Sequence, residues 1–118
     1  GYVPFEMAND YINSFDICFA SYKKGTSGFP MKILDYLACN KPVITSAIPA
    51  ITKYFHSSDT FKIVEPGNVK LLQNAITDLY QIRNQEIKTH REFVLNNYTW
   101  DHTAQNIMKV IEETLCAA

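Results

Sequence analysis

The fold is decided by residues 15–46, which read FDICFASYKKGTSGFPMKILDYLACNKPVITS. Residues 15–21 form a short, nearly continuous apolar run, which is typical of a strand buried in a parallel sheet. Residues 30–39 place apolar side chains on one helical face, with Pro30 at the first helical position, where a missing N–H costs nothing. Residues 42–46 then form a second, β-branched strand, so the stretch predicts a strand–helix–strand unit.

The sequence that follows repeats this alternation. A third strand is predicted at residues 61–64, and Asn68 is a good N-cap for a helix with apolar residues at helical spacing. Further helices are predicted at residues 48–55, at residues 84–96 and after Thr99. The last of these carries an apolar stripe, formed by Ala104, Ile107, Met108, Ile111 and Leu115. Alternating strands and helices imply a three-layer, Rossmann-like α/β fold, in which a parallel sheet has helices on both faces.

The N-terminal residues and the small sheet suggest an incomplete domain. Tyr2 and Val3 are predicted to end a strand, and a helical turn is expected around residues 5–12. The 118 residues suffice for one domain, yet only about three strands are clear, against roughly five in an average sheet. We therefore expect a domain truncated at its N-terminus, with an exposed parallel edge near Phe15 or Tyr2. Self-association is expected through that edge or through the last helix.

Composition excludes several classes of function. Lys plus Arg total 11 and Asp plus Glu total 12, giving a formal charge of -1, so no electrostatic case for nucleic acid follows. No apolar run approaches the roughly 20 residues of a membrane span. The cysteines are three in number and widely spaced, which indicates reduced thiols rather than a disulfide framework or a zinc site. Surface or helix-cap positions are predicted for His56, His90 and His102.

The loop between the first strand and the first helix carries the most informative chemistry. Gly25 and Gly28 allow a backbone to approach a ligand closely, and the N–H groups at the helix start favour an anion. Ligands of open α/β sheets bind beyond the carboxyl ends of the strands, where this loop lies. Asp35, one to two turns into the helix, offers a carboxylate to a diol while the helix start binds phosphate. The same pattern is also found in α/β loops that bind nothing.

Four landmarks extend this pattern over nearly the whole chain. In chain order they are Phe15-Asp16-Ile17, then Gly28-Phe29-Pro30 with its acidic helix and Lys41-Pro42-Val43-Ile44, then Ile63-Val64-Glu65-Pro66-Gly67-Asn68, and finally Tyr98-Thr99-Trp100. Together they resemble the C-terminal, nucleotide-sugar-binding domain of GT-B fold retaining glycosyltransferases. This large family includes many bacterial polysaccharide and lipopolysaccharide enzymes.

The resemblance assigns the family's paired glutamates, which are separated by seven residues, to Ser27 and Asp35. The first glutamate typically holds the transferred sugar, and the second typically hydrogen-bonds the ribose of the nucleotide. Asp35 keeps the carboxylate on a side chain one methylene shorter. Ser27 departs from the family pattern because it is not acidic. Both residues are therefore candidate catalytic residues by resemblance.

The resemblance also assigns donor-binding roles to the residues between this pair. Backbone N–H groups around Gly28, Phe29 and Met31 are implied to face the sugar and the diphosphate. Pro30 belongs to the same element but has no N–H to offer. Lys32, near the helix start, is implied to meet phosphate, and a solvated lysine is the alternative.

The activity implied by the resemblance is transfer of a sugar from a nucleotide-diphosphate-sugar to a glycan or lipid-linked acceptor. It implies a retaining outcome without a divalent metal or other cofactor, in a cytoplasmic protein with peripheral membrane association. The N-terminal domain of the same protein would complete the cleft, so the chain alone is expected to be inactive. Two other classes stay open: a non-catalytic α/β nucleotide-binding or regulatory module whose loop is altered at Ser27, and a domain whose apolar helices dock a partner.

Overall fold

The computed structural model describes residues 2–117 as an α/β fold built on a parallel sheet of three strands. The strands are β1 (Cys18–Ala20), β2 (Val43–Ser46) and β3 (Phe61–Val64), in the spatial order β1-β2-β3. All residues of β2 are buried, as expected for the central strand of a sheet covered on both faces. The predicted parallel sheet is confirmed, and β1 is an edge strand that is shorter than the predicted one.

The helices connect the strands and then continue beyond the sheet. They are α1 (Ala8–Asn13, preceded by a 3₁₀ turn at Phe5–Met7), α2 (Lys32–Ala38), α3 (Pro49–Thr52), α4 (Val69–Gln81), α5 (Thr89–Asn97) and α6 (Trp100–Ala117). Within residues 2–117, each helix falls short of the combined length and hydrophobicity that a membrane crossing requires.

Three predicted boundaries are wrong. Tyr2 and Val3 lie outside any strand, because β1 pairs with β2 alone in the described chain. α5 begins at Thr89 rather than at residue 84, since the connection from α4 instead uses Ile82 and Ile87 to anchor itself to the core. The predicted helix at 48–55 is reduced to the short α3, after which Phe55 turns inward and is buried.

Helices lie on both faces of the sheet, as predicted. The larger apolar cluster lies on the α2 and α3 side, and its buried members are Cys18, Ala20, Ile33, Leu34, Leu37, Val43, Ile48, Ile51, Phe55 and Phe61. On the other face α4 packs against β2 and β3, through a cluster of Ile44, Val64, Ala75 and Leu79. α6 joins neither cluster and has no buried residue, which leaves the predicted apolar stripe uncovered in the described chain.

The turn from α2 into β2 is a Schellman motif. Asn40 adopts a left-handed conformation with φ of +54°. Its N–H donates to the carbonyl of Leu37 at 2.9 Å, and the N–H of Lys41 donates to the carbonyl of Tyr36 at 3.1 Å. These are the two hydrogen bonds that define this helix ending. The predicted end of the helix at residues 40–42 is therefore confirmed.

His90 contradicts the expectation of a surface or cap position, because it is buried on α5. Its Nδ1 lies 3.1 Å from the carbonyl oxygen of Lys41, and its Nε2 lies 2.8 Å from the hydroxyl of Thr60. A carbonyl can only accept, so Nδ1 carries the proton and Nε2 accepts from the Thr60 hydroxyl. Both ring nitrogens are thereby satisfied, which makes burial tolerable. Burial also lowers the pKa of His90.

Candidate functional site

The loop between β1 and α2 leaves the carboxyl end of the sheet and turns on two glycines. Gly25 and Gly28 have φ values of +85° and +94°, in a region that residues with a Cβ rarely adopt. A Cβ at either position would meet no heavy atom within 4 Å, so backbone conformation rather than crowding requires glycine. The hydroxyl and the N–H of Thr26 donate to the carbonyl of Lys23 at 2.8 and 3.1 Å, which closes a tight turn ahead of Gly28.

The helix that follows the loop starts later than the sequence suggested. The carbonyls of Pro30 and Met31 accept from the N–H groups of Ile33 and Leu34 at 3.0 and 2.9 Å. These i to i+3 bonds form a tighter turn, and the regular helix begins only at Lys32. Pro30 therefore lies before the helix rather than at its first position.

Several backbone N–H groups at this junction are available to a ligand. Within residues 2–117, the N–H groups of Gly28, Phe29, Met31 and Lys32 have no hydrogen-bond acceptor. The hydrogen bonds to the carbonyls of Pro30 and Met31 come from Ile33 and Leu34, further along α2, so they do not use these four donors. Unpaired N–H groups before and at a helix start attract anions. The structure therefore leaves four N–H donors free where the sequence predicts an anion-binding element, and anion binding there stays a prediction.

Asp35 lies within α2, beside the N-terminal segment. It lines a cavity of about 330 Å³ between α2 and that segment, together with Phe5, Glu6, Ala8, Asn9, Ile12 and Ala38. Burial raises the pKa of the Asp35 carboxyl, and no ion pair compensates for it among the described residues. Asp35 is nevertheless exposed, so its carboxylate is accessible to a ligand in this cavity.

Ser27 is not brought into that cavity. It is exposed in the loop, one residue before the left-handed Gly28. Of the predicted pair, Ser27 therefore lies in the loop before α2, whereas Asp35 lies within α2 and lines the cavity. A ligand that reaches both has to extend across the free N–H groups between them.

Lys32 and Tyr22 form a local pair beneath the loop. The Lys32 ammonium lies 5.0 Å from the centre of the Tyr22 ring, within range of a cation–π interaction. The Tyr22 N–H donates to the hydroxyl of Ser46 at 2.8 Å, which ties the end of β1 to the end of β2. The Tyr22 hydroxyl is buried without a hydrogen-bond partner in the described chain. Tyr22 is not among the predicted site residues, since in the sequence only its position just after the strand distinguishes it.

Phe29, predicted as a binding residue, points its ring into the protein. The ring lies 6.0 Å from that of Tyr54, 5.9 Å from that of Phe55 and 6.0 Å from that of Tyr98, measured between centroids. Aromatic pairs at such distances each stabilise by roughly 0.5–1.5 kcal/mol beyond burial. The ring of Phe29 thus anchors the loop, and its backbone rather than its side chain is left for a ligand.

A second cavity lies at the carboxyl ends of all three strands and was also missed. It measures about 160 Å³ and is lined by Phe19, Ser21, Tyr22, Thr45, Ser46, Val64, Glu65, Pro66, Gly67, Asn68, Val69 and Leu72. An open groove beside it adds Lys23 and Lys24. The rule that ligands bind beyond strand ends could have identified Ser46 and Glu65.

Comparison with known proteins gives one match. A family model described as "Glycosyl transferases group 1" matches residues 1–82, which is more than half of the chain. The matched region includes the three strands, the loop with its free N–H groups, Asp35 and the whole of α4. Neither the curated proteins nor the solved structures contain a match to the chain.

Proposed function

The chain belongs to the glycosyl transferases group 1 family, and we propose that it supplies the donor site of an enzyme that uses a nucleotide-diphosphate-sugar. The acceptor is a glycan or a lipid-linked glycan. The observation that carries this proposal is the run of free N–H groups from Gly28 to Lys32, flanked by the Asp35 cavity. A diphosphate needs such donors, and a nucleoside needs such a cavity.

The nucleoside occupies the cavity between α2 and the N-terminal segment. The Asp35 carboxylate accepts hydrogen bonds from the ribose diol, since an ionised carboxylate is a pure acceptor with two oxygens. Phe5, which is 88% exposed, lines the same cavity and offers an aromatic face to the base. Glu6 and Asn9 add polar groups that can distinguish one base from another.

The diphosphate lies against the N–H groups of Gly28, Phe29, Met31 and Lys32. When the bond to the sugar breaks, negative charge develops on the departing diphosphate. Preorganised N–H donors stabilise that charge without reorganisation, which is the dominant catalytic effect in sites of this kind. The Lys32 ammonium, held near the Tyr22 ring, adds a positive charge nearby. No divalent metal or other cofactor is part of this proposal, and the sugar keeps its anomeric configuration.

Ser27 contacts the transferred sugar through its hydroxyl, because it is exposed in the loop just ahead of the N–H run. A second α/β domain of the same cytoplasmic protein binds the acceptor, and a lipid-linked acceptor brings that protein to a membrane surface. This chain by itself therefore binds the donor but does not transfer sugar.

One alternative is favoured by a specific observation. Ser27 stands where the family pattern has an acidic residue, so the loop can bind a nucleotide without catalysing transfer. On this alternative the chain is part of a regulatory nucleotide-binding module. A Ser27→Glu substitution that increases transfer by the whole protein favours an impaired enzyme, whereas no transfer by either form favours the module.

The proposal is tested by calorimetric titration of the whole protein with UDP, GDP and their sugar conjugates. We expect Asp35→Asn to weaken the affinity for the preferred nucleotide at least tenfold. Asp59→Asn is the matched control, because Asp59 is an exposed aspartate outside the cavity. Absence of binding by every nucleotide and nucleotide-sugar, or equal affinities for Asp35→Asn and the unsubstituted protein, would overturn the proposal.

A further inference from the structure

The loop with the free N–H groups is tethered weakly by hydrogen bonds. In the described chain, the bonds of Thr26 end on the carbonyl of Lys23. No hydrogen bond joins residues 24–29 to another element of that part of the chain. Met31 is 64% exposed and cannot anchor the loop by packing. Phe29, by contrast, packs against the large core cluster, so its ring carries the attachment.

Tyr98 supplies one of the rings that hold Phe29. The two ring planes are inclined by 19° with centroids 6.0 Å apart. Tyr98 also stacks on Phe55 at 6.2 Å with an inclination of 13°, so the Phe29 ring is fixed by an ordered stack. The Tyr98 N–H donates to the carbonyl of Val94 at 2.8 Å, which fixes Tyr98 itself at the end of α5.

We propose that Tyr98 is a positioning residue for the β1–α2 loop and acts on it through the ring of Phe29. It lies far from the loop in sequence and outside residues 1–82, which the family model covers. Loss of its ring removes one of the three rings around Phe29, the only side chain of residues 24–29 that packs against the core cluster, and so loosens the loop there. The N–H groups of Gly28 and Met31 then lose their common orientation, and a misplaced donor set binds a diphosphate less well. The effect on the donor rests on the function proposed above, whereas the effect on the loop does not.

The experiment has two readouts. Backbone ¹⁵N relaxation of this chain gives order parameters for Gly28 and Phe29, and calorimetry of the whole protein gives the affinity for the nucleotide-sugar. In Tyr98→Met, which removes the ring, we expect the order parameters to fall from rigid values of about 0.85 to below about 0.6. The affinity should fall roughly tenfold, which corresponds to about 1.4 kcal/mol.

Two further variants separate positioning from general packing. Tyr98→Phe keeps the ring and should behave like the unsubstituted chain in both measurements. Phe93→Leu is the matched control, because Phe93 pairs with Phe55 and with Tyr98 at 5.9 and 5.6 Å but forms no ring pair with Phe29. It should leave the loop ordered.

The outcomes distinguish this proposal from the proposed function. An ordered loop in Tyr98→Met, a mobile loop in the unsubstituted chain, or equal loosening by Phe93→Leu overturns the positioning role. If the whole protein binds no nucleotide, the proposed function fails while the order parameters still decide the role of Tyr98. If Tyr98→Met does not fold, the same relaxation measurement is made on Phe29→Leu, which removes the other ring of the pair. A loop as ordered as in the unsubstituted chain then overturns the proposal.

Discussion

The side-chain oxygen of Asn40 accepts a 2.8 Å hydrogen bond from the backbone N–H of Arg91, which joins the end of α2 to the start of α5. Arg91 is the third residue of α5, and an N–H in the first turn of a helix has no partner within the helix. α5 lacks a side-chain cap of its own. Asn40 therefore provides that cap from another element, while its left-handed backbone closes α2.

Substitutions at Asn40 separate its two roles. Asn40→Gly keeps the left-handed turn but removes the cap, and we expect a loss of roughly 0.5–1 kcal/mol in the free energy of unfolding. Asn40→Ala loses the cap and also strains the backbone, which costs roughly 1 kcal/mol more. Asn40→Asp should retain both roles. Urea denaturation ranks the variants by their free energy of unfolding. An Asn40→Gly variant as stable as the unsubstituted chain would show that the cap contributes nothing.

His90, next to Arg91, predicts a pH-dependent stability. Burial lowers the pKa of His90 in the folded chain, below its ordinary value of about 6.5. Below about pH 6.5 the His90 ring binds protons more readily in the unfolded chain than in the folded chain. The stability that neutral His90 contributes is therefore fully present above about pH 6.5, and it is lost as the pH falls toward the folded-state pKa. We expect the thermal midpoint to decrease between pH 7 and pH 5, and His90→Gln to flatten this decrease. His56→Gln, at an exposed histidine, is the control and should keep the full slope.

The sheet and most helices were predictable because their signals are local. Short β-branched runs define β2 and β3, and Asn68 caps α4 by accepting from the N–H of Leu71 at 3.0 Å, as its sequence position indicated. Thr99 likewise accepts from the N–H of His102 at 3.3 Å at the start of α6. In each case residues close in sequence supply the whole interaction, so the pattern alone was sufficient.

Apart from helix boundaries, the features that escaped prediction join residues distant in sequence. The burial of His90 depends on Thr60 and on the carbonyl of Lys41, neither of which is marked by periodicity. The inward turn of Phe29 depends on Tyr98, and the cavity beside Asp35 depends on how the N-terminal segment crosses α2. Resemblance supplied the candidate positions, but the directions in which their side chains point follow from packing.

The carboxylate of Asp35 is expected to lower the stability of the folded chain while it serves ligand binding. Burial raises the pKa of its carboxyl, so the folded chain favours the protonated form, and the associated stability is lost as the pH rises through the folded-state pKa. Asp35→Asn should therefore gain stability relative to the unsubstituted chain between pH 3 and pH 7, by no more than about 0.5 kcal/mol because the side chain is partly solvated. Chemical denaturation at both pH values measures this difference. A loss of stability at pH 7 would mean that the carboxylate has a structural partner rather than a ligand.

The uncovered stripe of α6 predicts self-association of the chain. Ile107 and Ile111 are 55% and 45% exposed, and they line a shallow cavity of about 370 Å³ along the helix. The stripe has no partner in the described chain, and covering such an apolar surface is favourable because it removes the surface from water. We expect sedimentation velocity to detect oligomers that dissociate on dilution.

Substitution of the stripe tests whether α6 forms that contact. Ile107→Gln with Ile111→Gln should shift the onset of association to at least tenfold higher concentration, since glutamine keeps helix propensity and removes the apolar surface. The free energy of unfolding of the monomer should stay within about 0.5 kcal/mol, because α6 buries nothing. Lys109→Gln with Glu113→Gln removes a surface ion pair of 3.9 Å on the same helix and should leave association unchanged. If the Ile107 and Ile111 substitutions also leave it unchanged, the contact lies elsewhere than on this face of α6.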